Sequence, residues 1–219
     1  MTNVLILGAT GRTGVSVLQQ LSEYEHIQVI AALRQAEDIS RLPKTTYPFQ
    51  TKVVDINVIS SLSRAANEAD VIINAIRMRG DIQATALVDL DKRIRKAAAG
   101  RKNPMIVTVG GAGSLKMGNG KRFWQDIAFP GRTLPRGRAH AKLYDYLTEL
   151  PSFESWAYLI PPPAYLPDGL RTGAYKRWEV QNNKMDFLKK SISYEDFATA
   201  VCDAVKERWE GIYLIADDE

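Results

Sequence analysis

Short apolar runs and amphipathic stretches alternate along the whole of this chain. Runs of strand length occupy 4–7, 28–33, 52–54, 71–75, 105–109, 155–159 and 212–215. Between them, apolar residues recur at helical spacing over 12–23, 58–66, 83–99, 136–149 and 194–207. Continuous runs such as Val4 to Leu7 suit strands buried on both faces, whereas Val15, Leu18 and Leu21 mark one face of a helix. Strand–helix alternation of this kind predicts an α/β fold with a doubly wound parallel sheet. Ser193 followed by Asp196 resembles a capping box and predicts where the last helix starts. Two stretches break the rhythm. Residues 110–137 hold seven of the fifteen glycines together with Phe123 and Trp124, and 161–190 are rich in proline, glycine and aromatics, among them Tyr165 and Trp178. Each follows a strand, at the edge where open α/β sheets bind ligands, and both are predicted to line a cleft in a single domain spanning 1–219.

Composition narrows this picture only modestly. The 219 residues are 45% hydrophobic, enough for one full core. No apolar run is long enough to span a bilayer, and the start lacks the pattern of a secretory signal. The one cysteine, Cys202, precludes an intrachain disulfide and fits a reducing cytoplasm. It shares an apolar helical face with Phe197, Ala198, Val201 and Val205, which marks it as a core residue. A net charge of +4 is small for this length and gives no reason to expect nucleic acid; it fits anionic small molecules. His26 and His140 are far apart without ligand-like neighbours, so no metal site is expected.

The chemistry begins at residue 8. Gly8, Gly11 and Gly14 stand between the first strand and the first helix, within Gly8-Ala9-Thr10-Gly11-Arg12-Thr13-Gly14. Missing side chains let phosphates approach the backbone, and the amides at the helix start face the negative charge. Gly8, Thr10, Gly11, Arg12 and Thr13 are therefore candidates to hold the pyrophosphate of NAD or NADP. At the end of the second strand a NAD-preferring fold commonly has a carboxylate; this chain has Arg34. A guanidinium grips a 2′-phosphate where a carboxylate repels it, so Arg34 and Arg12 favour NADP over NAD.

The G-x-x-G-x-x-G spacing resembles the atypical branch of the short-chain dehydrogenase/reductase superfamily, which has a Rossmann-type NAD(P)-binding fold and includes NmrA-like proteins and NADH-flavin reductase-like proteins. Val109-Gly110-Gly111-Ala112-Gly113-Ser114-Leu115 is similar to a segment of the latter group. So are Trp156 to Pro163, Arg171 to Tyr175 and Ile192 to Phe197, and the resemblance covers essentially the whole chain. It implies that Asp55 meets the adenine with Ile56 along the ring. It places Ala75, Ile76 and Arg77 beside the adenosine ribose, Val109, Gly110 and Gly111 near the nicotinamide, and Ile160 and Pro161 at the carboxamide. For Asp55 a turn-capping role is the alternative.

Much of the superfamily works through Tyr-x-x-x-Lys, yet none of the nine tyrosines here has lysine four residues on. Lys142 stands at the lysine position and Arg138 where the tyrosine belongs. The resemblance lets Lys142 bind the nicotinamide ribose. Lys142 and Ser114 are the catalytic candidates, with a turn serine as the alternative for Ser114. A planar acceptor such as FMN, FAD or a quinone needs no carbonyl proton donor, and the aromatics of the cleft suit it. The expected function is hydride transfer from NADPH to such a small-molecule acceptor. The alternatives are an NADP-binding redox sensor of NmrA-like type, with a protein partner, and a relative of sugar-nucleotide epimerases.

Overall fold

Chain order in the computed structural model, which describes residues 1–99, 103–118, 120–178, 180 and 184–218, follows the predicted alternation closely. It runs β1 (Thr2–Leu7), α1 (Arg12–Leu21), β2 (Ile27–Leu33), β3 (Gln50–Val53), α2 (Ile59–Ala66), β4 (Val71–Asn74), α3 (Ala86–Ala98) and β5 (Met105–Val109). Then come α4 (Leu134–Thr148), β6 (Trp156–Ile160), β7 (Ala164–Leu166), β8 (Lys176–Trp178), α5 (Lys184–Phe187), β9 (Ser191–Ser193), α6 (Tyr194–Glu207) and β10 (Gly211–Ala216). Eight strands form one sheet in the order β3-β2-β1-β4-β5-β6-β10-β8. All pairs are parallel except β10 with β8, which closes one edge antiparallel. The order reverses between β1 and β4, and this switch point opens the crevice in which doubly wound sheets take ligands.

Both faces of the sheet are covered, which is why its strands read as unbroken apolar runs. On one face, Val4, Ile6, Val29, Ile73, Val107 and Leu159 pack beneath α1 and α6. On the other, Leu5, Leu7, Ile30, Ile72 and Ile106 meet α2 and α3, while Tyr158, Ile160 and Leu214 meet α4. Cys202 lies in the first of these cores, as its helical face implied. Its Sγ is 3.9 Å from the Val17 carbonyl oxygen, and burial pushes the thiol far above its usual range. No helix among the described residues is long and apolar enough to cross a membrane.

The irregular stretches are more ordered than their composition implied. Within 161–190, β8 joins the main sheet, and β7 pairs in parallel with β9 as a separate two-stranded ribbon. The capping box at α6 forms in half. Ser193 Oγ accepts from the Asp196 amide at 2.9 Å, but the Asp196 carboxylate takes other partners. It accepts from the Thr172 amide at 2.9 Å, the Gly173 amide at 2.8 Å and the hydroxyls of Thr172 and Ser193. One buried carboxylate thus ties the 172–173 turn to the head of α6.

Candidate functional site

The site grows from the turn after β1. Gly8 has φ +84°, and a Cβ there would lie 2.8 Å from the Ala75 carbonyl oxygen. A Cβ at Gly14 would lie 2.1 Å from the Gly8 oxygen. These two glycines let β1, α1 and the end of β4 approach one another. Gly11 differs, because a Cβ there meets only the Gly8 oxygen at 3.1 Å and the Ala75 oxygen at 4.0 Å. Its Cβ side is otherwise open. The first helical hydrogen bond runs from the Val15 amide to the Gly11 carbonyl at 2.8 Å, so the amides of Arg12, Thr13 and Gly14 head α1 without helical acceptors. No acidic residue occupies that first turn. An open cradle beneath free amides at the positive end of a helix fits a pyrophosphate.

On the β2 side, Arg34 stands exposed one residue past the strand. Arg41, in the 3-10 turn that follows, donates to the Thr10 carbonyl at 3.1 Å and pairs with Asp38 at 3.1 Å. No local pattern announced Arg41, since its partner at the glycine turn is distant in sequence. Arg12 directs its guanidinium to the Tyr194 ring, 6.0 Å from the centroid. Asp55 is exposed after β3, and its Oδ1 accepts from the Asn57 amide at 2.8 Å, so the turn-capping role is present in the structure. Ile56 packs beside the core of α2 and α3. The Ala75 amide donates to the Leu7 carbonyl at 2.9 Å, and the Ile76 amide to Asn74 Oδ1 at 3.3 Å. The backbone of 75–76 therefore adjoins Gly8, while Arg77 is exposed on the side facing α4.

Beyond β5 the chain passes over His140 and Tyr158. A Cβ at Gly111 would meet the His140 ring at 2.8 Å, and one at Gly110 would meet Tyr158 Cζ at 2.9 Å. The Gly110 amide donates to the Leu159 carbonyl at 2.7 Å, beside half-buried Val109. His140 Nδ1 and the Tyr158 hydroxyl share a hydrogen bond of 2.8 Å. Burial, and then the Arg136 charge, lower the His140 pKa to about 4. Burial drives Tyr158 upward. Both groups are therefore neutral near pH 7. Ile160 and Pro161 are buried.

The two catalytic candidates lie on different elements. Ser114 is fully buried, and its Oγ donates to the Gly111 carbonyl at 2.8 Å, so the turn-serine alternative is present in the structure. Lys142 is exposed and lies about 200° round α4 from His140. The helix is rotated by packing of Gly137, Ala139, Ala141, Leu143 and Leu147 into the core. Arg136 and His140, four residues apart, therefore occupy the side toward Gly111. Arg138 instead stacks on Trp124, 5.1 Å from the ring centroid. The aromatics also separate. Phe123 is buried against Phe129 and Trp178 sits on edge strand β8, but Tyr165 reaches the glycine turn. Its hydroxyl lies 2.8 Å from Thr13 Oγ1, and its ring stacks on Tyr194 at 3.7 Å between centroids.

A reversed strand order, a glycine cradle at the switch point and free amides at a helix start define a dinucleotide-binding protein of the Rossmann class. The chain belongs to the NAD(P)H-binding family, whose pattern matches residues 8–208. It is 26% identical over 206 residues to the uncharacterized protein YwnB of Bacillus subtilis, covering 92% of this chain and 91% of that one. Among solved structures it is similar to a candidate NADH-flavin reductase from Streptococcus pneumoniae, with a TM-score of 0.81 at 18% identity over 100% of both chains. An anaerobilin reductase from Escherichia coli also shares the fold, with a TM-score of 0.71 at 19% identity over 100% of this chain and 98% of that one.

Proposed function

We propose that this protein is an NADPH-dependent reductase passing hydride to a planar acceptor such as a flavin or quinone. The observation that carries the reading is a pairing. An open phosphate cradle at Gly11 lies on the same sheet edge as a Gly110–Gly111 floor backed by neutral His140, in a sequence without Tyr-x-x-x-Lys. The candidate flavin reductase and the anaerobilin reductase that share the fold agree with a reductase role.

Gly8, Thr10, Gly11, Arg12 and Thr13 hold the pyrophosphate in this reading, and Arg34, with Arg41 steadying the turn, takes the 2′-phosphate. Asp55 and Ile56 flank the adenine, and the backbone of Ala75 and Ile76 the ribose. Val109, Gly110, Gly111, Ile160 and Pro161 form the bed at the far end. The described residues act as one unit, with 110–137 and 161–190 contributing walls. When bound, NADPH supplies a hydride from C4. A flavin would take that hydride together with one solvent proton, which balances its two-electron reduction against oxidation of NADPH to NADP⁺. The protein contributes orientation and exclusion of water.

The test is steady oxidation of NADPH with FMN, a quinone and a simple ketone offered separately. Faster turnover with the flavin or quinone is expected. Ketone turnover with neither planar acceptor reduced would reject the mechanism, and binding without turnover of any acceptor would make the protein a sensor.

A further inference from the structure

Between the segment after β4 and the start of α4 lies a cleft of about 410 Å³. Arg77 and Arg79 line one wall, Arg132 and Arg136 the other, and Asp81 is the single carboxylate among the lining residues. Among the described residues none of these four guanidinium groups has a carboxylate within salt-bridge distance. The pKa of Arg136 is lowered by burial first and then by the Arg77 charge, with Tyr194 opposing and Arg132 adding a smaller push downward. Arg136 also sits in the first turn of α4, a fifteen-residue helix with no acidic residue there, so the helix dipole adds positive potential to the same cleft. Four guanidinium groups around one concavity, with Asp81 the one carboxylate among its lining residues, concentrate positive potential there, and their planar forks suit phosphate or carboxylate oxygens.

The cleft borders the far end of the dinucleotide crevice. His140, one helical turn on from Arg136, touches Gly111. Tyr194 interacts electrostatically with Arg136 and carries Arg12 over its ring. Charge at this cleft is therefore placed to hold a second molecule beside the cofactor.

Resting on the reductase reading, we propose that the arginine cleft binds a multiply charged oxyanion tail on the acceptor, so that the acceptor is a planar ring carrying phosphate or paired carboxylates. FMN and riboflavin share one ring system and differ by the phosphate, which makes them the probes.

Their binding to the NADP-saturated protein is followed by flavin fluorescence, with NADPH oxidation measured in parallel. FMN should bind at least about tenfold tighter than riboflavin, the scale of one charge-assisted hydrogen bond. An Arg79→Gln/Arg132→Gln double variant should lose that preference while keeping its affinity for riboflavin and NADP. Displacement of FMN by citrate more than by inorganic phosphate would assign the tail to carboxylates, and the reverse order to phosphate. Equal affinity for the two flavins, binding of neither, or a double variant weakened toward NADP instead of FMN would overturn the proposal. FMN preference without NADPH oxidation would keep the cleft and remove the reductase. Equal reduction of both flavins, unchanged in the variant, would do the opposite.

Discussion

Replacing Gly11 with valine should separate folding from cofactor binding. The backbone at Gly11 is extended, with φ −79° and ψ 162°, a region valine adopts readily. The new Cβ would be 3.1 Å from the Gly8 oxygen, so the turn need move only by a few tenths of an ångström. Valine is a poorer N-cap than glycine by about 1 kcal/mol, and the restricted unfolded chain returns about half of that. The net loss, under about 1 kcal/mol, should lower Tm by roughly 2–4 °C in a chain of this size. Binding should respond far more. The valine methyls fill the open side of Gly11 and deny a pyrophosphate two charge-assisted amide contacts worth about 1.5–3 kcal/mol each. A loss of at least about 3 kcal/mol raises Kd more than about a hundredfold. Thermal unfolding and NADPH fluorescence titration on the same sample read both effects. Gly14→Ala is the contrast, because its Cβ would lie 2.1 Å from the Gly8 oxygen, and the folded state itself should be lost. A folded Gly11→Val protein that binds NADPH within about threefold of the parent would refute the reasoning, since that distance exceeds any error in one contact energy.

Further outcomes are expected elsewhere in the molecule. Arg34→Glu should weaken NADPH binding by about 1.5–3 kcal/mol and leave NADH nearly unchanged, as paired titrations would reveal. His140 takes up its proton near pH 4 when folded but near its ordinary 6.5 when unfolded, so the unfolded state binds the proton first as pH falls. Stability supported by neutral His140 is complete above pH 6.5 and drains away toward pH 4, by about 2 kcal/mol at about pH 5. His140→Gln should lack that slope in urea unfolding, and parallel pH curves for the two proteins would exclude it. Asp196→Ala strips four hydrogen-bond donors of their acceptor and should cost about 2–4 kcal/mol while freeing the 172–173 turn to proteolysis. Unchanged Tm and cleavage would count against that role.

Buried parallel strands were legible because both faces of the sheet are covered. The apolar run at Met105–Val109 matches β5, and the helical face of Tyr194–Glu207 matches α6. The missed elements lack such a signal. β8 is the three residues Lys176–Trp178 on a sheet edge, and β7 and β9 pair only with each other. In α4 the motif spacing and the helix's buried face mark different residues. The motif position gives Arg138 and Lys142, whereas burial of the small residues turns the helix so that both are exposed. A Cβ at Gly137 would strike the Trp124 Cβ at 2.7 Å, so that side must face inward, and Arg136 and His140 follow toward Gly111. Gly137, Ala139 and Ala141 are the sequence signal of that packing. Arg41 and the arginine cleft were hidden for another reason: their parts come from separate segments that only the sheet topology brings together.

In the proposed function, NADPH held at the glycine turn delivers hydride to a planar acceptor. Its most direct test is an anaerobic single turnover with protein, NADPH and FMN in equal amounts. NADPH and oxidised flavin absorbance should fall together, mole for mole, and Gly11→Val should abolish the decay. NADPH that binds tightly yet stays reduced in the presence of FMN and a quinone would contradict the account.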